Sequence, residues 1–287
     1  MPSSKPYEFR HAICNEVFQG WKFHDACKKI REIGYTGIEI APFTLSDSPA
    51  SITADERKQY RGIMNSEGLL FAGLHWLMMA PKGLHLTTPD AELRQKSWQH
   101  VRDLIDLCAD LAGNTASDNG VMVFGSPFQR STTGGSTQAE AEARFRDGFA
   151  EASAHAAAMH VKLLVEALPK AQSDIVNTLA DAARIVEFCN IPSVQTMFDT
   201  HNAADETDPH EQVVDRYFDI IRHVHVNEMD GKHCSRGDYD FKPVLAKLRD
   251  RNYQGWVSLE AFDFSFGAET IATESLRYLE LEIQKIS

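Results

Sequence analysis

Hydrophobic and polar positions follow two rhythms along this chain. Short runs rich in β-branched and aromatic residues, apolar at consecutive positions, are each followed by a longer stretch with apolar residues three and four apart. A run apolar on both sides of the pleat suits a parallel strand covered on both faces, and the three-to-four spacing suits a helix with one buried stripe. Strands are predicted over residues 11–17, 36–41, 69–76, 120–125, 161–167, 194–200, 222–228 and 255–262. Helices are predicted over 23–33, 54–66, 91–112, 138–159, 175–188, 211–220, 242–250 and 268–286. No Pro/Gly/Ser linker, charge block or tandem repeat divides these units. The fold class expected is therefore α/β, a single (β/α)8 TIM barrel spanning residues 1–287. A doubly wound open sheet would usually carry a glycine-rich phosphate turn after its first strand. That position reads Cys14-Asn15-Glu16-Val17-Phe18-Gln19-Gly20 instead. The longest polar loop, 126–136, follows strand four and reads as an active-site lid or as plain surface.

Composition narrows the class of partner. Lys and Arg number 29 against 41 Asp and Glu, a net charge of −12, which speaks against a nucleic-acid or anionic-membrane surface. No run of about 18 apolar residues exists to span a bilayer. The segment Met1-Pro2-Ser3-Ser4-Lys5-Pro6-Tyr7-Glu8 has no apolar signal core. Cys14, Cys27, Cys108, Cys189 and Cys234 are scattered, odd in number and form no CxxC, as expected of buried free thiols in a reducing, cytoplasmic setting.

In such a barrel the site is assembled at the carboxyl ends of the strands. Strand five ends Leu164-Val165-Glu166, strand six Phe198-Asp199-Thr200-His201-Asn202, strand seven carries His223-Val224-His225, and strand eight ends Ser258-Leu259-Glu260. Four consecutive strands thus deliver a carboxylate or an imidazole after an apolar run. Carboxylates facing one another in a barrel mouth repel unless paired or metal-bound. One divalent cation would remove the conflict, and three carboxylates with one imidazole favour Mn2+, Mg2+ or Co2+ over a thiolate-type zinc site.

In their order and spacing, Glu166, Asp199, His225 and Glu260 resemble the xylose isomerase-like sugar isomerase and epimerase superfamily, and within it the ketose 3-epimerases of the tagatose/psicose type. The likeness extends to Gly73-Leu74-His75, to Leu86-Thr87-Thr88-Pro89 with Arg94, to the run from Val123 to Arg130, and to Gly237-Asp238-Tyr239-Asp240-Phe241. It implies that all four residues are metal ligands, with Glu166 and Glu260 also the proton carriers on either side of a bound sugar. It further implies a homodimer or homotetramer acting on a small sugar or sugar-derived substrate. The chemistry expected is proton transfer α to a carbonyl through an enediolate, on a ketose or keto-sugar. A lyase that dehydrates or decarboxylates an oxidised sugar or inosose shares the first step and stands as the alternative. An abasic-site endonuclease would want more histidines, one of them on strand four, and a cationic surface. A non-catalytic sugar binder needs no matched pair of bases.

The chain departs from the ketose epimerase pattern at three places. Ala167 stands where proline is usual, Gln172 where an acid is common, and Asn202 where a histidine is expected, with His201 one residue early. His75, Trp76, Gln172, His201, Asn202 and Arg236 are the residues expected to contact substrate. Each also has a bland reading: His75 as a hydrogen-bonded core histidine, Trp76 as packing, Arg236 as a rim ion pair. The cationic segment from Gly231 to Gly237 sits where barrels often hold phosphate. Trp21 and Phe266 read as further walls or as packing, and Glu16 and Glu39 as hydroxyl ligands or rim ties. His223 reads as a packed, hydrogen-bonded layer below His225, and Arg130 as a brace for the strand-four loop.

Overall fold

The computed structural model describes residues 8–286. The reading of the amino-terminal segment as lacking a signal core falls, up to residue 7, outside the described residues. Eight parallel strands form a closed barrel in sequence order: β1 (Arg10–Cys14), β2 (Gly37–Ile40), β3 (Leu70–Leu74), β4 (Val121–Phe124), β5 (Lys162–Val165), β6 (Val194–Asp199), β7 (Ile221–Val226) and β8 (Trp256–Leu259), with β8 pairing back onto β1. Around them run α1 (Phe23–Ile33), α2 (Ala54–Ser66), α3 (Ala91–Ala112), α4 (Pro127–Arg130), α5 (Gln138–Ala158), α6 (Leu179–Cys189), α7 (His210–Tyr217), α8 (Lys242–Asp250) and α9 (Ala268–Ile286). The expected single barrel is the fold observed. No helix among the described residues is long and apolar enough to cross a membrane.

Local chemistry sets the helix starts. Thr53, Thr137 and Thr178 each accept the N–H of the residue three positions on, while Glu56, Glu140 and Asp181 reach back to the cap, closing a capping box. This corrects the helix expected over 175–188. It starts at Leu179 because Thr178 caps it, whereas Ile175 and Val176 lie buried ahead of it in a turn that takes Val176 to φ +56. The helix expected over 211–220 likewise ends at Tyr217 and closes with one 3-10 turn, Phe218–Ile220.

The strands stop short of the predicted runs. The strands β3, β5 and β8 end at Leu74, Val165 and Leu259, and the next residues, His75, Glu166 and Glu260, stay buried just past the last paired position. The His75 and Glu260 N–H groups are still bonded to the carbonyls of Ile40 and Val226. These three residues turn the apolar staves into a polar mouth. At the opposite end, Trp256 closes the floor with Ala12 and Ala72. Gly37 makes room for it, since a Cβ there would stand 2.5 Å from the indole. The Arg10 guanidinium covers that ring from outside at 3.9 Å.

Candidate functional site

Asp199, the last residue of β6, lies in register with His225 of β7, and His225 with Ser258 of β8, two residues before Glu260. Sheet pairing therefore brings the last strands' polar tips side by side. Ligand atoms of Glu166, Asp199, His225 and Glu260 all lie within 4.8 Å of one another, and none of the four residues is more than 5% exposed.

Each carboxylate is held by a specific donor. Asp199 Oδ1 accepts the backbone N–H of His201 (2.7 Å) and of Asn202 (3.1 Å), which fixes the turn after β6. The Asn202 amide then donates to Asp199 Oδ2 (3.1 Å) and to Glu166 Oε1 (2.9 Å), tying two of the acids together. Glu260 Oε1 accepts the indole N–H of Trp76 at 2.7 Å. Trp76 itself sits at φ +51, a left-handed conformation costly for a bulky side chain and typical of a residue held for a task.

These donors leave the charge unbalanced. Burial, then Asp199 and Glu260, push the Glu166 carboxyl up to about 8. His225 Nδ1 points into the group, 3.1 Å from Glu260 Oε2 and 3.6 Å from Asp199 Oδ2, yet makes no hydrogen bond. An unpartnered buried ring nitrogen among three carboxylates is the donor set of a divalent-cation site, so the residues present fit one. Gly125 belongs to this construction, because a Cβ there would collide with Glu166 Oε2.

A second polar layer lies underneath. His223 Nε2 is 2.8 Å from Glu39 Oε2, and His75 Nε2 is 2.8 Å from Glu16 Oε2. Glu16 and Glu39 are thus not rim residues, as their places at strand ends suggested, but buried acids paired with histidines inside the barrel. Burial pushes the Glu39 carboxyl up, but His223 and His225 outweigh it and hold Glu39 well below its ordinary range. His223 occupies the packed, hydrogen-bonded layer expected of it.

Above the four-residue group opens a cavity of about 490 Å³. His75, Trp76, Gln172, His201 and Asn202 all line it, as do Glu166, His225 and Glu260. His201 is oriented at both ring nitrogens: Nδ1–H donates to the Glu228 carbonyl (3.3 Å), and Nε2 accepts from the Gln172 amide (3.2 Å). The strand has ended by Asp199, so the turn places Asn202, not His201, against the acids.

Arg236 is not brought to this cavity. Its guanidinium forks onto Glu274 of α9 at 2.7 and 2.6 Å and lies over Phe266. His233 shares the same carboxylate and Lys232 pairs with Asp230, so the segment that looked cationic is neutralised by its own neighbours. Trp21 packs edge-on against Phe18, and it and Phe266 stand apart from the cavity lining. The 126–136 loop is not plain surface either: it opens with α4, anchored by fully buried Arg130, which donates to the carbonyls of Phe124, Glu166, Ile175 and Val176. Sequence reasoning missed Glu228, whose carboxylate accepts the backbone N–H of Ser235 and Tyr239 and so shapes the loop after β7. Its signal was the one that marked the others, an acid closing an apolar strand.

Comparison with known proteins adds the following. A family model described as a xylose isomerase-like TIM barrel matches residues 27–281. The 3-dehydro-D-guloside 4-epimerase of Escherichia coli is 32% identical over 96 residues, 33% of this chain and 37% of that enzyme. A probable ketose 3-epimerase of Synechocystis is 22% identical over 191 residues, 64% of this chain and 62% of that protein. The chain thus matches less than two thirds of the length of either relative. A crystal structure of D-psicose 3-epimerase in the presence of D-fructose superposes with a TM-score of 0.81, covering 96% of this chain and 99% of that one, at 18% identity. At that identity the likeness speaks for the fold.

Proposed function

The chain belongs to the xylose isomerase-like TIM barrel family, and from that premise we propose that it is a sugar epimerase, moving a proton on the carbon beside the carbonyl of a ketose or keto-sugar. The observation that carries this reading is the convergence of two glutamates, Glu166 and Glu260, from β5 and β8 into one buried group with Asp199 and His225, directly under a cavity with hydrogen-bonding walls. The relatives named for epimerisation at carbon 3 or 4 of keto-sugars support it.

A proton beside a carbonyl is weakly acidic, and its removal leaves an enediolate with charge spread over two oxygens. One glutamate takes the proton from one face of the carbon, and the other returns a proton to the opposite face, which inverts the centre. Because epimerisation is reversible, the pair serves in either order. Trp76 holds Glu260, and Asn202 holds Glu166, so each carboxylate keeps its aim while the sugar is exchanged. Gln172, whose amide N–H is spent on His201, keeps its oxygen for a sugar hydroxyl. His75 and His201 shape the wall with their ring nitrogens already engaged or turned inward, and Trp76 offers an apolar face to the ring. A divalent ion, Mn2+, Mg2+ or Co2+, would be held by Glu166, Asp199, His225 and Glu260 and would supply stabilisation of negative charge developing on the sugar's oxygens.

The test is proton NMR in D2O with purified protein, Mn2+ and a panel of ketoses and keto-glycosides. Solvent deuterium should enter at the inverted carbon with no other change. Loss of water or CO2 would instead make it a lyase, and no exchange on any member of the panel would overturn the proposal.

A further inference from the structure

Beneath the four-residue group, one carboxylate serves two imidazoles of the same strand. Both oxygens of Glu39 lie 3.1 Å from His225 Nε2, and its Oε2 is 2.8 Å from His223 Nε2. His223 and His225 are two apart on β7 and so share a face, while Glu39 reaches them from β2. All three residues are at most 1% exposed, so no solvent competes for these bonds. A carboxylate can only accept, so both Nε2 atoms must carry hydrogen. A neutral His225 with hydrogen on Nε2 has its lone pair on Nδ1, the unpartnered atom that faces Asp199 and Glu260.

We propose that Glu39 is a positioning residue. It fixes His225 in the form that presents Nδ1 as a ligand for a divalent cation, and His223 pins Glu39 in the place where it can do so. The inference rests on the metal-dependent reading above. Its chemistry is that of outer carboxylates that orient ligating histidines and raise their basicity. The remaining neighbours fit the assignment. The Cys14 thiol donates to Glu39 Oε2 at 3.6 Å, and His75 is turned to Glu16 instead, with its Nδ1 3.7 Å from Glu39 Oε1. Glu39 thus accepts from every hydrogen-bond partner it has and donates to none.

Glu39→Gln breaks this arrangement without changing size. An amide keeps one accepting oxygen and puts an NH2 in place of the other. Because both Glu39 oxygens lie 3.1 Å from His225 Nε2, a donor faces that nitrogen in either orientation, and hydrogen on His225 Nε2 loses its support in favour of Nδ1. The experiment is titration of metal-free full-length protein with Mn2+, reading free ion by electron paramagnetic resonance, in wild type and E39Q. Affinity is expected to fall about 10- to 100-fold in the variant. Equal affinities would overturn the proposal while leaving the proposed function standing, whereas a wild type that binds no Mn2+ would remove the metal reading and this inference together. A second measurement needs no variant: long-range proton–nitrogen correlation spectra of Mg2+-loaded wild type should show His225 hydrogen on Nε2 and none on Nδ1. Hydrogen on Nδ1 would overturn the assignment even if E39Q fails to fold.

Discussion

A methyl group on Gly125 would occupy the space of Glu166 Oε2, so this glycine is set by its neighbour's carboxylate and not by its own backbone. Gly125→Ala should push Glu166 off its aim and lower turnover about 100-fold, the penalty of an ångström-scale misplacement, while the melting temperature stays close to wild type. Steady-state kinetics beside a thermal scan would check both halves. Glu166→Gln and Glu260→Gln should each keep the fold by circular dichroism and cost on the order of 10²–10⁴-fold in rate. A variant of either kind with full activity would remove the two-carboxylate scheme. At this scale the convergence of Glu166, Asp199, His225 and Glu260 was legible because an ionisable residue closing an apolar run is an anomaly that stability alone does not explain. Arg236 was misjudged because the acid that claims it, Glu274, lies on the last helix, far along the chain. Glu16 and Glu39 were misjudged because strand position tells that a side chain faces inward but not how deep its layer lies.

The connection between β4 and α5 is held from below by a single buried cation. Burial lowers the Arg130 guanidinium to about 10, so it stays charged at neutral pH, and four main-chain carbonyls, one of them that of Glu166, take its hydrogens. Arg130→Met fills similar space but takes the charged donor from all four carbonyls, of which only those of Ile175 and Val176 keep a second partner among the described residues, the Ser173 hydroxyl and the Leu168 N–H. It should cost about 3–5 kcal/mol in chemical denaturation, and it should lower activity further, since the end of β5 loses its anchor. Helix limits were largely readable, with α1, α2, α3, α8 and α9 falling where the apolar stripe placed them. Where they were not, the cause is local: Ile175 and Val176 continue an apolar pattern that a helix could use, but Thr178 and Asp181 close a cap three residues later. Strand ends ran long in the sequence because residues beyond the last paired position remain buried, and burial, not pairing, is what hydrophobicity reports.

Over the whole molecule, the floor and the mouth do different work. The floor is a packed plug, Trp256 against Ala12 and Ala72, and the mouth is a polar assembly spread over the strand tips. Trp256→Ala should therefore cost about 3–5 kcal/mol of stability through the cavity it leaves, and lower the melting temperature by several degrees or more. Mn2+ affinity should stay within a few-fold of wild type, as calorimetry can test. Barrel architecture itself was legible from the repeated strand–helix rhythm, whereas the neutralisation of the segment after β7 was not, because it depends on which helices the closed ring brings alongside.

All five cysteines are unpaired and buried in this ring, spread from β1 to the segment after β7. A maleimide or aryl disulfide mixed with the native protein accordingly finds no sulfur to attack. Its slow consumption would count the moments when the walls come apart, and five separately placed clocks, read by peptide mapping, would tell which sector of the circle lets go first.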